Sequence, residues 1–182
     1  LTRISPTTPW LKNSEIHDLK ICLNEEEIPL WEILLLDAKD YLLRRSFREA
    51  IYAINGAFEN YLMLKARNRL IIGWGSEKNV TEYLEGVPVY KYHKLKEYMD
   101  ENTFNQAVKD NKITPYVPPT NQILKECNII QPFSISRTQL NRLVGKIRKK
   151  RNEVMHGVEI TDDLETIAFE AIINFEEFIK LF

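Results

Sequence analysis

Three residues near the C-terminal end of the chain have side chains suited to acid–base chemistry on a phosphate: Arg151, Asn152 and His156. Histidine is the one side chain whose ordinary pKa permits proton transfer near neutral pH, and arginine suits the negative charge of a phosphate. Asn152 and His156 are four residues apart, which is roughly 40° around an α-helix, and Gly145 and Lys149 extend the same line. This spacing predicts that an arginine, an amide and an imidazole meet at the last turn of one helix.

The hydrophobic pattern predicts that the guanidinium group of Arg151 needs a partner. Arg151 takes the next core-facing position after Ile147 on the apolar stripe of its helix. Because a guanidinium group does not lose its proton, leaving it buried and unpaired costs several kcal/mol. We expect the partner to be Glu59, which shares the polar side of an earlier helix with Arg48, Tyr52 and Asn55.

A structural role is the alternative that the spacing alone leaves open. In that role His156, which precedes Gly157, interacts with the negative end of the helix dipole.

The composition and the periodicity of apolar residues predict an all-α protein. The 182 residues include only six glycines and eight prolines, and apolar residues recur at helical spacing. Capping boxes at Ser46–Glu49 and Ser136–Gln139 mark two helix starts, Gly157 marks a helix end, and Thr161 caps the last helix. The helices are expected over residues 30–45, 47–68, 77–85, 95–109, 136–156 and 162–182, with a further short helix between the proline-rich segment 114–120 and Pro132.

The overall balance of charge conceals a local asymmetry. The net charge is −1, yet residues 142–151 contain six basic side chains and no acidic one. Residues 153–182 contain eight acidic side chains against Lys180 alone. The basic run is either a surface that binds an anionic polymer or a solvated helix face.

Several classes of protein are excluded by the sequence. No apolar run reaches the roughly 18 residues that a membrane span needs. Cys22 and Cys127 are too few and too distant for a disulfide framework or a zinc site, and His17 and His93 lack partners at metal-ligand spacing, so we expect no metal, no cofactor and a cytoplasmic location. The chain begins at Leu1 without an initiator methionine or a signal pattern, and we expect it to follow an upstream domain.

The segment Arg151-Asn152-Glu153-Val154-Met155-His156 resembles the R-N-x-x-x-H signature of HEPN domains. That family is a small antiparallel helical bundle whose signature lies late in a helix that is followed by one last amphipathic helix. Residues 37–62 also resemble the family's first helix pair. We therefore interpret 28–182 as one HEPN-like domain in which 69–135 is a loop-rich helical insertion or cap, and 1–27 as an N-terminal arm or the remnant of an upstream domain.

The resemblance implies a metal-independent endoribonuclease of a toxin, antiviral or RNA-processing system. It implies that Arg151 and His156 are the catalytic pair, that Asn152 is the polar residue of the motif, and that Glu59 supports them. The ribose 2′-hydroxyl would attack the adjacent phosphate and leave a 2′,3′-cyclic phosphate, with His156 as general base or acid and Arg151 stabilising the developing charge.

The resemblance also implies a homodimer in which two motif helices face each other across a cleft. The basic run would then bind the RNA backbone electrostatically, through Arg142, Lys146, Arg148, Lys149 and Lys150. The alternative is a non-catalytic HEPN module that binds RNA, a nucleotide or a protein, or that serves only for dimerisation.

Overall fold

Helices account for the regular structure of residues 28–158 and 163–182, which are the residues that the computed structural model describes. No strand occurs in this part of the chain, so the predicted all-α fold is confirmed. The α-helices are α1 (Leu30–Leu43), α2 (Phe47–Trp74), α3 (Glu77–Leu84), α4 (Glu101–Lys109), α5 (Thr120–Ile130), α6 (Arg137–Ile147), α7 (Arg151–Met155) and α8 (Leu164–Ile179), and two 3-10 helices cover Tyr90–Tyr92 and Lys94–Glu97.

Some of the sequence predictions lie outside the described residues. They are the N-terminal arm at 1–27 with His17 and Cys22, and the helix cap at Thr161.

Helix α2 is the central element of the bundle. Its apolar side buries Phe58 and Tyr61 against α8, where the Phe58 and Phe178 ring centroids lie 5.0 Å apart in an edge-on arrangement. The Tyr61 hydroxyl donates a hydrogen bond to the carbonyl oxygen of Ile179 at 2.9 Å, so the one polar group of this buried side chain has a partner. Helix α1 packs along α2, to which a short turn connects it.

Helix α2 is longer than the sequence pattern predicts. The predicted end was Asn68, but the helix continues to Trp74 and ends at Gly75, which has a φ of +64°. Leu70 is fully buried, and Gly73 lies so close to α5 that a Cβ atom there would overlap the Ile130 side chain. Tertiary packing against α5 therefore stabilises the last two turns, despite the glycine.

The segment 69–135 packs onto the same core as the rest of the bundle. Val80, Tyr83, Leu124 and Cys127 are buried in one cluster with the apolar side of α2 and with α8. Burial raises the pKa of Cys127 to about 11, so its thiol remains protonated at neutral pH.

The helix predicted over 95–109 begins only at Glu101. The carboxylate of Asp100 accepts a hydrogen bond from the backbone N–H of Thr103 at 3.0 Å, so Asp100 is the N-cap.

One predicted capping box forms and the other does not. The capping box at Ser136–Gln139 is confirmed, since both of its reciprocal hydrogen bonds form. The capping box at Ser46–Glu49 is wrong, because α2 begins after Ser46 without a side-chain hydrogen bond. Asp163 was expected in the first turn of the last helix but is its N-cap, where hydrogen bonds from Thr166 lower the pKa of its carboxyl group.

Candidate functional site

The helix that carries the motif is broken just before Arg151. The sequence predicted one helix over 136–156, but α6 ends at Ile147, and Lys150 adopts a left-handed conformation with a φ of +62°. The predicted line from Gly145 through Lys149 to Asn152 is therefore wrong.

A buried amide on α2 satisfies the carbonyl group that the break leaves free. In a continuous helix the N–H of Arg151 would donate to the carbonyl of Ile147. Here that N–H donates to the carbonyl of Arg148 at 3.2 Å, and Nδ2 of Asn55 donates to the carbonyl of Ile147 at 3.3 Å. Asn55 is 3% exposed and also bonds to the carbonyl of Ile51 at 2.8 Å. Asn55 thus stabilises the break from a position 92 residues earlier in the chain.

Arg151 and Glu59 form the ion pair that the sequence predicts. Nη2 of Arg151 lies 2.7 Å from Oε1 of Glu59, and the Arg151 side chain is 26% exposed. Nη2 of Arg148 lies 3.7 Å from the same carboxylate oxygen, and Nη1 of Arg148 donates to the hydroxyl of Thr120 at 2.9 Å. One carboxylate therefore orients two guanidinium groups.

The polar side of α2 contacts both ends of the motif segment. Asn55 and Glu59 contact its beginning, while Arg48 donates from Nη2 to the carbonyl oxygen of Val158 at 3.1 Å. The three residues lie on one face of α2, and together they position residues 147–158.

A cleft of about 550 Å³ lies between α5, α6 and α7. Its volume is within the range of small-ligand pockets, which is about 300–1,000 Å³. Charged and amide side chains predominate in its lining, namely Arg137, Arg148, Arg151, Glu153, Asn121, Asn141 and Asn152.

His156 lies at the other end of α7 and does not line this cleft. Its backbone N–H donates to the carbonyl of Asn152 at 3.0 Å, so the predicted one-turn relationship between these two residues is present. Arg151, by contrast, is about 140° away from His156 around the helix axis. The imidazole is exposed and has no hydrogen-bond or ion-pair partner among the described residues.

Gly157 ends α7 as predicted. It has a φ of +65°, and its N–H and that of Val158 donate to the carbonyls of Val154 and Glu153. The structure therefore brings together Arg151, Asn152 and Glu59, with Nη1 of Arg151 3.4 Å from Oδ1 of Asn152, but not His156.

The basic residues of 142–150 have different surroundings. Arg148 lines the cleft, whereas Lys146 pairs with Glu170 at 3.0 Å on the side of α8. Lys150 pairs with Glu153 at 3.6 Å, and Arg142 and Lys149 are exposed to solvent.

No local sequence pattern indicates the contribution of α5 to the cleft. Thr120 and Asn121 line the cleft from the first turn of α5, where the Thr120 hydroxyl accepts a hydrogen bond from Arg148. The sequence indicates the role of Asn55 only weakly, through the position of this residue on the polar side of α2.

No group of three or more His, Cys, Asp and Glu side chains is arranged to bind a metal ion in residues 28–158 and 163–182. None of the helices there has the length and apolar composition required to cross a membrane.

Comparisons with protein-family models, curated proteins and solved structures found no match to this chain.

Proposed function

We propose that this protein is a metal-independent endoribonuclease of the HEPN type, acting in a toxin, antiviral or RNA-processing system. The observation that supports it best is the placement of Arg151, which Glu59 orients at 2.7 Å beside Asn152 at the edge of a cationic cleft. One turn further on, His156 presents an exposed imidazole.

The reaction is an attack of the ribose 2′-oxygen on the adjacent phosphorus. The P–O5′ bond breaks, the 2′-hydroxyl proton passes to a base, and O5′ gains a proton as it leaves. His156 acts in one of these two proton transfers, either as the base that accepts the 2′-hydroxyl proton or as the acid that donates a proton to O5′. Arg151 stabilises the negative charge on the phosphate oxygens. The products are a 2′,3′-cyclic phosphate and a free 5′-hydroxyl, and DNA is not cleaved because it lacks the nucleophile.

We propose that the active form is a homodimer through the motif segment. Arg151 and His156 of one chain lie about 140° apart around α7, so one chain alone does not direct both groups at one phosphate. A second copy that contacts α7 between these two directions would place the histidine of one chain near the arginine of the other. Exposed apolar side chains beside the motif suit such a contact, since Tyr52 is 59%, Met155 49% and Val158 49% exposed. An upstream domain is a further candidate partner.

We propose RNA as the substrate because the cleft and its surroundings are cationic. Arg148 lies in the cleft, and Arg142 and Lys149 are exposed where they can contact the backbone. We place the reaction in the cytoplasm, where the free thiol of Cys127 would remain reduced.

The test is incubation of the protein with labelled single-stranded RNA in EDTA, beside the His156→Ala variant. We expect cyclic-phosphate ends from the unmutated protein only, with equal melting temperatures for the two proteins because the imidazole is exposed. Intact RNA in both samples would overturn the proposal, and a large loss of stability in the variant would show a structural role for His156.

A non-catalytic RNA-binding or nucleotide-binding module is the second candidate. The observation that favours it is that His156 does not line the cleft. Binding without chemistry predicts RNA affinity that falls with salt while the RNA is recovered intact, and a module for dimerisation alone predicts no RNA affinity above background.

A further inference from the structure

The cleft between α5, α6 and α7 has more positive than negative charge in its lining. Arg137, Arg148 and Arg151 line it against one carboxylate, that of Glu153, which pairs with Lys150 at 3.6 Å. The carboxylate of Glu59 on α2 pairs with both Arg148 and Arg151, so three arginines and Lys150 face two carboxylates. Such a balance favours an anionic ligand.

Arg148 is the guanidinium group best fixed to bind that anion. Thr120 accepts a hydrogen bond from its Nη1 at 2.9 Å, and Glu59 lies 3.7 Å from its Nη2. Its Nε atom is buried and has no hydrogen-bond partner among the described residues. A guanidinium group that is oriented on two sides loses little freedom when it binds a phosphate.

Two exposed amides line the cleft from opposite walls, Asn121 on α5 and Asn141 on α6. Neither amide has a hydrogen-bond partner within the described part of the chain. Each offers both a donor and an acceptor, which is the combination that recognises the edge of a nucleobase. Val144, which is half-buried, adds apolar surface that suits a base face.

In its last turn α6 presents to the cleft a residue without a side chain, Gly145. A Cβ atom at Gly145 would meet no heavy atom within 4 Å, so the space beside it is open.

We propose that this cleft binds one nucleotide, with its phosphate on Arg148 and its base edge on the amides of Asn121 and Asn141. The inference rests on the proposed function, in which this nucleotide is part of the RNA strand. Helix α5 belongs to the segment 69–135, so this segment determines a base preference that the basic run cannot supply.

The experiment compares two substitutions at Gly145 that differ in size. Gly145→Gln extends a long side chain from the cleft wall, whereas Gly145→Ala adds one methyl group, and both increase helix propensity. In a His156→Ala background, which prevents cleavage, binding is measured by fluorescence anisotropy with four labelled RNA homohexamers and by calorimetry with four 5′-mononucleotides. We expect Gly145→Gln to weaken binding roughly tenfold or more, and Gly145→Ala to match the parent protein.

The second arm tests base recognition. The double variant Asn121→Ala, Asn141→Ala is expected to reduce the preference among the four hexamers by roughly tenfold. One bidentate contact between an amide side chain and a base edge discriminates between bases by about that factor. Asn102→Ala, an exposed asparagine on α4, is the control and leaves affinity and preference unchanged. Melting temperatures and light scattering check that each variant is folded and has the parent's oligomeric state.

The outcomes separate this inference from the proposed function. If RNA is cleaved but binding is insensitive to Gly145→Gln and to the paired asparagine variant, the nucleotide site is overturned and the ribonuclease remains. If no RNA is cleaved but mononucleotides bind in a way that Gly145→Gln abolishes, the cleft is a nucleotide site and the ribonuclease is overturned. If the hexamers bind in a way that Gly145→Gln weakens and the mononucleotides do not bind, the cleft is a site for a nucleotide within an RNA strand.

Discussion

Oε1 of Glu59 lies 2.7 Å from Nη2 of Arg151, and this contact joins the central helix α2 to the first residue of the motif. The same oxygen lies 3.7 Å from Nη2 of Arg148, so the carboxylate both neutralises and aims the two arginines at the cleft.

Glu59→Gln should separate RNA binding from RNA cleavage. Removing the carboxylate leaves two guanidinium groups without their counter-charge, so RNA affinity should rise. The cleavage rate should fall, because Glu59 no longer holds the Arg151 side chain in position. The pair is partly exposed, and the free energy of unfolding should fall by at most about 1 kcal/mol. Glu32→Gln, which removes the same charge from an exposed position on α1, is the control. Equal cleavage by both variants would contradict the role of Glu59.

Asn55→Ala should destabilise the break between α6 and α7. The substitution leaves the carbonyl of Ile147 without its buried partner, which costs about 1–3 kcal/mol in free energy of unfolding. Cleavage of RNA should fall further than this loss of stability explains, since Arg151 follows the break. Denaturant unfolding and cleavage assays measure the two effects. Asn60→Ala, on the same helix, has no such hydrogen bond among the described residues, and a similar loss for both variants would argue against the role of Asn55.

Lys150→Gly should be tolerated better than Lys149→Gly. Lys150 has a φ of +62°, which costs a residue with a side chain about 1–2 kcal/mol, so glycine removes that cost. At Lys149 the backbone does not have positive φ, and glycine only adds conformational entropy to the unfolded chain, for a loss of about 0.4–1 kcal/mol. Paired thermal unfolding measures the difference. A continuous helix over 137–156 would instead make both variants equally unstable.

Tyr61→Phe should reduce stability, whereas Tyr83→Phe should not. The Tyr83 hydroxyl is buried without a hydrogen-bond partner among the described residues, and burial raises the pKa of this group. Its removal should leave stability unchanged or increase it by about 1 kcal/mol. The Tyr61 hydroxyl donates to Ile179, so its removal should cost about 0.5–1.5 kcal/mol. Chemical denaturation of both variants tests this, and a loss of stability in Tyr83→Phe would show that its hydroxyl has a partner.

Much of the fold followed from local patterns. The capping box at Ser136, the end of α7 at Gly157 and the short helix α3 lie where the sequence predicts them, because each depends on residues within one or two turns. The extension of α2 to Trp74 was not predictable in this way. It depends on Ile130 packing over Gly73, a contact between residues far apart in the sequence.

By itself the sequence determined the all-α class, the polar side of α2 and the pairing of Arg151 with Glu59. Helical periodicity sets the first two, and the third was expected because a partly buried guanidinium group needs an acidic or hydrogen-bonding partner, for which Glu59 was the favoured residue. Only the tertiary structure decided where the motif helix breaks, because the hydrogen bond that stabilises the break comes from Asn55 on another helix. It also decided that Arg148 and Arg151 line a cleft with α5 while His156 does not, since neighbouring helices, and not spacing along one helix, form the cleft walls.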